Sequence, residues 1–224
     1  MLVFDTLVAT LAPHACLGCQ GLGTMLCDKC IESYFEPIPS RCAGCRKLTD
    51  DFKTCASCRY WLPLKQVLVC SNYEGVSEAL ISAIKFGNAR AGVLPVATIM
   101  SSLMEDVGTK WLLCPIPTAP ARIRLRGFDH AKLLSREIHK LTRLGERQFL
   151  RRVTNSRQVG ASRSVRIDQA RQTFEIINNR EINGKDILLI DDVMTTGATL
   201  SAAAQLIKQA GAKSVSALVF AQKV

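Results

Sequence analysis

The sequence predicts an α/β protein: a mostly parallel sheet flanked by helices, with a small cysteine-rich module ahead of it. Three observations carry that expectation. Short apolar runs alternate with helix-like stretches from Val67 onward, the pattern of βα units and a parallel sheet. One run, Ile187 to Ile190, leads into two acids, Asp191 and Asp192, and then into Thr195-Thr196-Gly197-Ala198-Thr199. A buried parallel strand delivers polar groups to its carboxyl end in this way, where open α/β sheets bind ligands. Eight of the ten cysteines stand as four Cys-x-x-Cys pairs within the first 58 residues. A length of 224 residues suits one ordinary α/β domain and a small appendage.

The elements follow in order. Trp61-Leu62-Pro63-Leu64 marks the expected boundary, giving a module over 1–64 and an α/β domain over 65–224. Val67 to Tyr73 reads as a strand, Val76 to Phe86 as a helix and Val93 to Met104 as another. Lys110 to Ile116 is a second strand, ending at Pro115 and Pro117. Asp129 to Leu144 has helical spacing through Leu133, Leu134, Ile138 and Leu141. Phe149 to Val165 is polar and basic without clear periodicity, and Phe174 to Ile177 reads as a short edge strand. Asp186 to Ile190 is the central strand, Ala198 to Gln209 its helix, Gly211 the stop, and Ser214 to Phe220 the last strand. At the amino end, Phe4, Leu7, Val8 and Leu11 are spaced as a short docked helix, with a cleaved signal peptide as the alternative. No apolar run reaches the length of a membrane span, so no insertion is expected and the expected location is cytoplasmic.

Cysteine spacing points to metal. A Cys-x-x-Cys turn places two thiolates on one knuckle, and two knuckles complete a closed tetrahedral site, which suits zinc. Cys16, Cys19, Cys27, Cys30, Cys42, Cys45, Cys55 and Cys58 are thus enough for two structural Zn2+ sites. Sequential and interleaved pairings both satisfy the spacing. Disulfides would need an oxidising compartment, a redox dithiol needs one pair, not four, and iron–sulfur ligation is the remaining alternative. So small a module takes its folding energy from the metal. Cys70 and Cys114 lie in apolar runs and are expected to be buried.

The formal net charge is +10, and its location matters more than its size. Between Pro120 and Gln172 stand fourteen Lys and Arg against four Asp and Glu; the rest of the chain balances at fifteen against fifteen. So concentrated a surplus implies an anionic partner. Arg122, Arg124 and Arg126 read as an extended segment with its arginines on one side, and Gly127 allows close backbone approach. Guanidinium forks grip phosphate oxygens, so pyrophosphate or DNA phosphate is the expected ligand.

The run from Ile187 to Thr199 resembles the 5-phosphoribosyl-1-diphosphate (PRPP) motif of type I phosphoribosyltransferases, and the fold class becomes their parallel sheet with a zinc-ribbon-like module added. With the four cysteine pairs and Arg124-Leu125-Arg126-Gly127-Phe128-Asp129-His130, the whole chain resembles the ComF family, including its GntX type. Asp129 and His130 stand where that family has Asn-Gln. Lys85-Phe86-Gly87 and the region of Thr154, Gln158 and Arg166 also look like family positions.

The resemblance implies binding of PRPP with Mg2+. Asp191 and Asp192 would hold the ribose hydroxyls, and Thr195, Thr196, Gly197, Ala198 and Thr199 would cradle the 5-phosphate. It implies a role in natural transformation, in handling incoming single-stranded DNA in the cytosol, with competence-machinery partners such as a DNA-translocating helicase. A Mg2+-dependent phosphoribosyltransferase and a non-catalytic binding module that senses PRPP are the two readings of that likeness. No Ser-His-Asp or Cys-His triad is visible among His14, His130 and His139.

Overall fold

The computed structural model describes residues 14–87, 89–104, 111–153 and 173–223. The spacing of Phe4 to Leu11, and Thr154, Gln158 and Arg166, lie outside the described residues. In chain order the elements are α1 (Asp28–Tyr34), α2 (Ala56–Arg59), β1 (Val67–Asn72), α3 (Gly75–Phe86), α4 (Val93–Ser102), β2 (Leu112–Pro115), α5 (Pro120–Arg126), α6 (His130–Thr142), β3 (Leu150–Arg152), β4 (Phe174–Ile176), β5 (Asp186–Met194), α7 (Ala198–Gln209) and β6 (Ser214–Gln222). Four strands form one parallel sheet in the order β1-β6-β5-β2. β3 and β4 pair antiparallel as a separate ribbon. No helix among the described residues is long and apolar enough to cross a membrane.

Side-chain alternation sorts the core into two layers. Leu68, Leu188, Ile190, Leu218 and Phe220 face one layer, packed with Leu80 and Ile84 of α3, Val96 of α4 and Leu134 of α6. Val67, Val69, Ile187, Leu189, Ala217 and Val219 face the other, packed with Leu200, Ala203 and Ile207 of α7. Each buried Leu or Ile contributes about 1.5–3 kcal/mol, so the two central strands are the most strongly held part of the sheet. The cysteine module straddles the β1 edge. Cys16, Met25, Leu26 and Cys30 join the first layer, while Ala43, Leu62 and Leu64 join the second.

The α/β class and the parallel sheet are as expected, and Gly211 (φ 96°) follows α7 as its stop. Three local expectations are corrected. Arg122, Arg124 and Arg126 lie on a helix, α5, not on an extended segment. Pro120 is pre-organised for its first turn, Arg and Leu favour helix, and Gly127 closes it in the left-handed conformation (φ 76°). The central strand runs past Ile190 to Met194, so both acids lie inside it. The basic stretch after Phe149 opens as strand β3, paired with β4.

Candidate functional site

Asp191 and Asp192 are successive residues near the carboxyl end of β5, and a carboxylate oxygen of each lies within 4.8 Å of the other and of a ring nitrogen of His130. Asp192 follows Leu188 and Ile190 into the first layer and is only 4% exposed. There its Oδ2 lies 2.8 Å from Lys85 Nζ, at the end of α3, and 2.9 Å from His130 Nε2, at the start of α6. The Lys85 contact is a close ion pair, and neither contact is a well-aligned hydrogen bond. Arg126 Nη1 lies 3.1 Å from His130 Nδ1. A guanidinium can only donate, so Nδ1 accepts and the ring proton sits on Nε2, aimed at Asp192. Burial pushes the Asp192 carboxyl up, but the imidazole N–H and the Lys85 ammonium outweigh it and hold the pKa at about 2. Asp191, half-buried beside it, is pushed up to about 7, first by burial and then by the charge of Asp192.

Beyond Met194 the chain turns through exposed Thr195 and Thr196 into Gly197, the N-cap of α7, at φ 75°. A Cβ on Gly197 would stand 2.7 Å from the mobile Met194 Cε and 3.3 Å from Leu62 Cδ1, and it is the left-handed conformation that demands glycine. Ser201 N–H closes the first helical turn on Gly197 O at 2.8 Å, and the Ala198 N–H reaches Thr196 Oγ1 at 3.4 Å. The first N–H groups of α7 have no carbonyl partner within the helix, so this end can accept an anion.

Of the predicted arginines, Arg122 and Arg126 share a face of α5, four residues apart, and Arg124 points elsewhere. Arg126 is buried, its guanidinium 5.6 Å from the Phe86 ring centroid, whereas Arg122 and Arg124 are exposed. Asp129 is the N-cap of α6: Lys132 N–H donates to its Oδ1 at 3.2 Å, and the Thr118 hydroxyl donates to the same oxygen at 2.8 Å. The departure from Asn-Gln thus leaves a capping residue at 129 and an Asp192 partner at 130. His139 is exposed and its Nδ1–H donates to Leu144 O at 2.5 Å.

Sequence reasoning missed Arg152. It ends β3 over the Phe174 ring, 5.4 Å from the centroid. Burial lowers its pKa, Arg122 adds to the effect and Asp191 opposes it, so it belongs to the same cluster. Its neighbour Arg151 points outward to an ion pair with Glu175. The short apolar pair Phe149-Leu150 ahead of Arg151-Arg152 was the available signal, concealed by the basic composition around it.

The knuckles pair sequentially. Cys16, Cys19, Cys27 and Cys30 form one set and Cys42, Cys45, Cys55 and Cys58 the other, with ligand atoms in each within 4.8 Å of one another. Sulfur separations of 3.8 Å (Cys16–Cys27) and 3.6 Å (Cys45–Cys55) suit four sulfurs around one ion. Burial pushes the Cys16 and Cys42 thiols up, but backbone N–H groups outweigh it and bring each down to about 6. Cys30 and Cys58 are pushed up to about 12, by burial and then by neighbouring sulfurs. All-sulfur donor sets, closed to water, fit structural zinc. Cys70 and Cys114 are buried, their thiols pushed up by burial.

A parallel sheet with acids at the carboxyl end of its central strand, followed by a glycine-hinged helix start, defines a phosphoribosyltransferase-type domain. The Phosphoribosyl transferase domain family matches residues 126–224. Competence protein ComFC of Streptococcus pneumoniae is 30% identical over 203 residues, covering 85% of this chain and 84% of that protein. Competence protein ComFC of Bacillus subtilis is 28% identical over 195 residues (83% and 79%), and competence protein F of Haemophilus influenzae is 24% identical over 198 residues (78% and 86%). The chain belongs to this ComF family, a cysteine module joined to a phosphoribosyltransferase domain.

Proposed function

We propose that the carboxyl end of the sheet binds PRPP and that the protein serves natural transformation, in the handling of incoming single-stranded DNA in the cytosol. The observation that carries the ligand is the start of α7: open N–H groups behind a hinge that only glycine fits, one turn after two carboxylates. Thr195 to Thr199 seat the 5-phosphate. Asp191 accepts from a ribose hydroxyl on its half-exposed face. Asp192 keeps Oδ2 on Lys85 and His130 and offers its other oxygen. Arg122 and Arg152 face the pyrophosphate, while Arg126 braces His130 from beneath Phe86. PRPP enters as its Mg2+ complex, which offsets charge on the leaving pyrophosphate. The competence role is supported by the three relatives named for it.

Titrating Mg2+ and PRPP into the zinc-loaded protein tests the site. Saturable binding is expected, lost in Asp191→Asn with Asp192→Asn at unchanged zinc content. Equal affinity in that double variant would refute the ribose assignment. A second reading, binding without transfer, is favoured by the clamp on Asp192, which leaves Asp191 as the acid without a cationic partner at ion-pair distance among the described residues. Release of pyrophosphate in the presence of nucleobases separates the two: steady release means transfer, bound but unconsumed PRPP means a sensor.

A further inference from the structure

Five basic side chains converge at the amino ends of the strands, away from the acids. Lys53 and Arg59 come from the cysteine module, Lys65 from the turn into β1, Lys208 from the last turn of α7 and Lys213 from the turn into β6. They line a cleft of about 350 Å³, which Leu64 and Val215 also line. That volume lies in the small-ligand range.

Protein charge does not neutralise this cleft. Lys53 has the exposed Asp51 at 3.4 Å, and Lys213 has Asp186 at 3.3 Å. Arg59, Lys65 and Lys208 have no carboxylate at ion-pair distance among the described residues, Lys65 sharing only the field of Asp186 with Lys213; Arg59 reaches the neutral Thr54 carbonyl, at 3.1 Å. Five cations against two acids leave a surplus of three. Burial and the charge of Arg59 both lower the Lys208 pKa, as expected for like charges facing one another.

Paired backbone holds them there. Thr54 N–H donates to Lys65 O at 3.0 Å, Lys65 N–H to Val215 O at 2.8 Å, and Lys213 N–H to Lys185 O at 2.9 Å. The cations are therefore presented by a fixed frame, which a counter-anion relieves of their mutual repulsion.

We propose that this cleft is a second anion site, for a small ligand carrying two or more phosphate groups. One phosphate brings about −1.5 to −2 and leaves a cation uncompensated, whereas two linked groups match the surplus. The cleft is separate from the phosphate loop. α7 has 12 residues and is about 18 Å long, and the two sites lie at its opposite ends. The proposal does not depend on the ligand of the loop.

Pyrophosphate and adenosine diphosphate, titrated separately into the zinc-loaded protein, are the probes, with Lys65→Ala plus Lys208→Ala as the variant. Both side chains are exposed, so folding is preserved; Lys65→Arg plus Lys208→Arg is the charge-conserving control. The double alanine variant should bind both probes about tenfold or more weakly at one class of site, with PRPP titration unchanged and the arginine control intact. Equal affinity for both probes in wild type and alanine variant overturns the proposal. So does loss of oligothymidylate binding alone, which assigns the cleft to a nucleic-acid strand.

Discussion

The two cysteine centres share one local plan, twenty-six residues apart at their first knuckles. Cys16 N–H bonds Gly21 O and Cys42 N–H bonds Lys47 O, each at 2.8 Å; Gln20 and Arg46 both turn left-handed. Cys27 and Cys55 each cap a short helix that carries the last ligand. Their seats differ. The first centre is held by apolar contact: Cys16, Met25, Leu26 and Cys30 join the layer of Leu68, and Phe35 lies 5.4 Å from Phe220, centroid to centroid. The second is held by directed polar contacts to the carboxyl ends of β1 and β6. Gln222 Nε2 donates to Ala43 O at 2.7 Å, and Arg46 donates to Gln222 at 3.0 Å and Asn72 at 3.3 Å. Its helix then runs into Trp61, whose carbonyl accepts from Ser201 Oγ at 2.6 Å and whose ring would lie 3.6 Å from a Cβ on Gly197. Apolar burial stabilises the fold without setting a geometry. Directed bonds carry the position of the second centre to the phosphate loop.

Removing metal from one centre at a time is the strongest way to break that contrast. Cys42→Ser with Cys58→Ser should leave one zinc per chain by metal analysis and weaken PRPP binding about tenfold or more. Cys16→Ser with Cys30→Ser should also leave one zinc, lower the melting temperature, and spare PRPP affinity. Equal losses of PRPP affinity in the two variants would erase the distinction.

The knuckle glycines give a matched pair at lower cost. A Cβ on Gly18 would stand 2.6 Å from Cys30 Sγ, and one on Gly44 2.7 Å from Cys58 Sγ and 2.8 Å from Trp61 Cζ2. Both alanine variants should lose about 1–3 kcal/mol of stability by denaturant titration, as overpacking does. Only Gly44→Ala should also weaken PRPP binding.

The acids sharpen the picture through pH. Asp191 is raised from 3.8 to about 7, so the folded chain holds this proton more tightly and its contribution to stability falls as pH rises across that window. Asp192 is lowered to about 2, so its contribution is present above 3.8 and is lost as pH falls toward 2. PRPP affinity should therefore rise as pH climbs through about 7, and the rise should vanish in Asp191→Asn. Titration at pH 6 and pH 8 measures it. The smallest effect belongs to Ser201→Ala, which removes the bond to Trp61 O and should cost about 0.5–1.5 kcal/mol, with a modest drop in PRPP affinity.

Legibility differs by kind of signal. The parallel sheet, the turn from Thr195 into α7 and the cysteine knuckles were readable because each is spelled by neighbouring residues. The arginine helix was not, because alternate charges suit a strand while Pro120 and Gly127 set helix ends. Asp192 was read as a ribose ligand beside Asp191. Its burial against Lys85 and His130 depends on helices far away in sequence.

By itself the sequence determined the class of fold, the eight thiols of the cysteine knuckles and the order of acid, hydroxyl and glycine around one helix start. Those are local: periodicity, knuckle spacing and turn chemistry act over a few residues. Tertiary structure alone decided which knuckles share an ion, which acid is clamped, that Arg152 joins the site, and that five scattered cations meet in one cleft. The physical reason is that electrostatic and packing partners are set by distance in space, and the crossing of a parallel sheet brings together residues far apart in the chain.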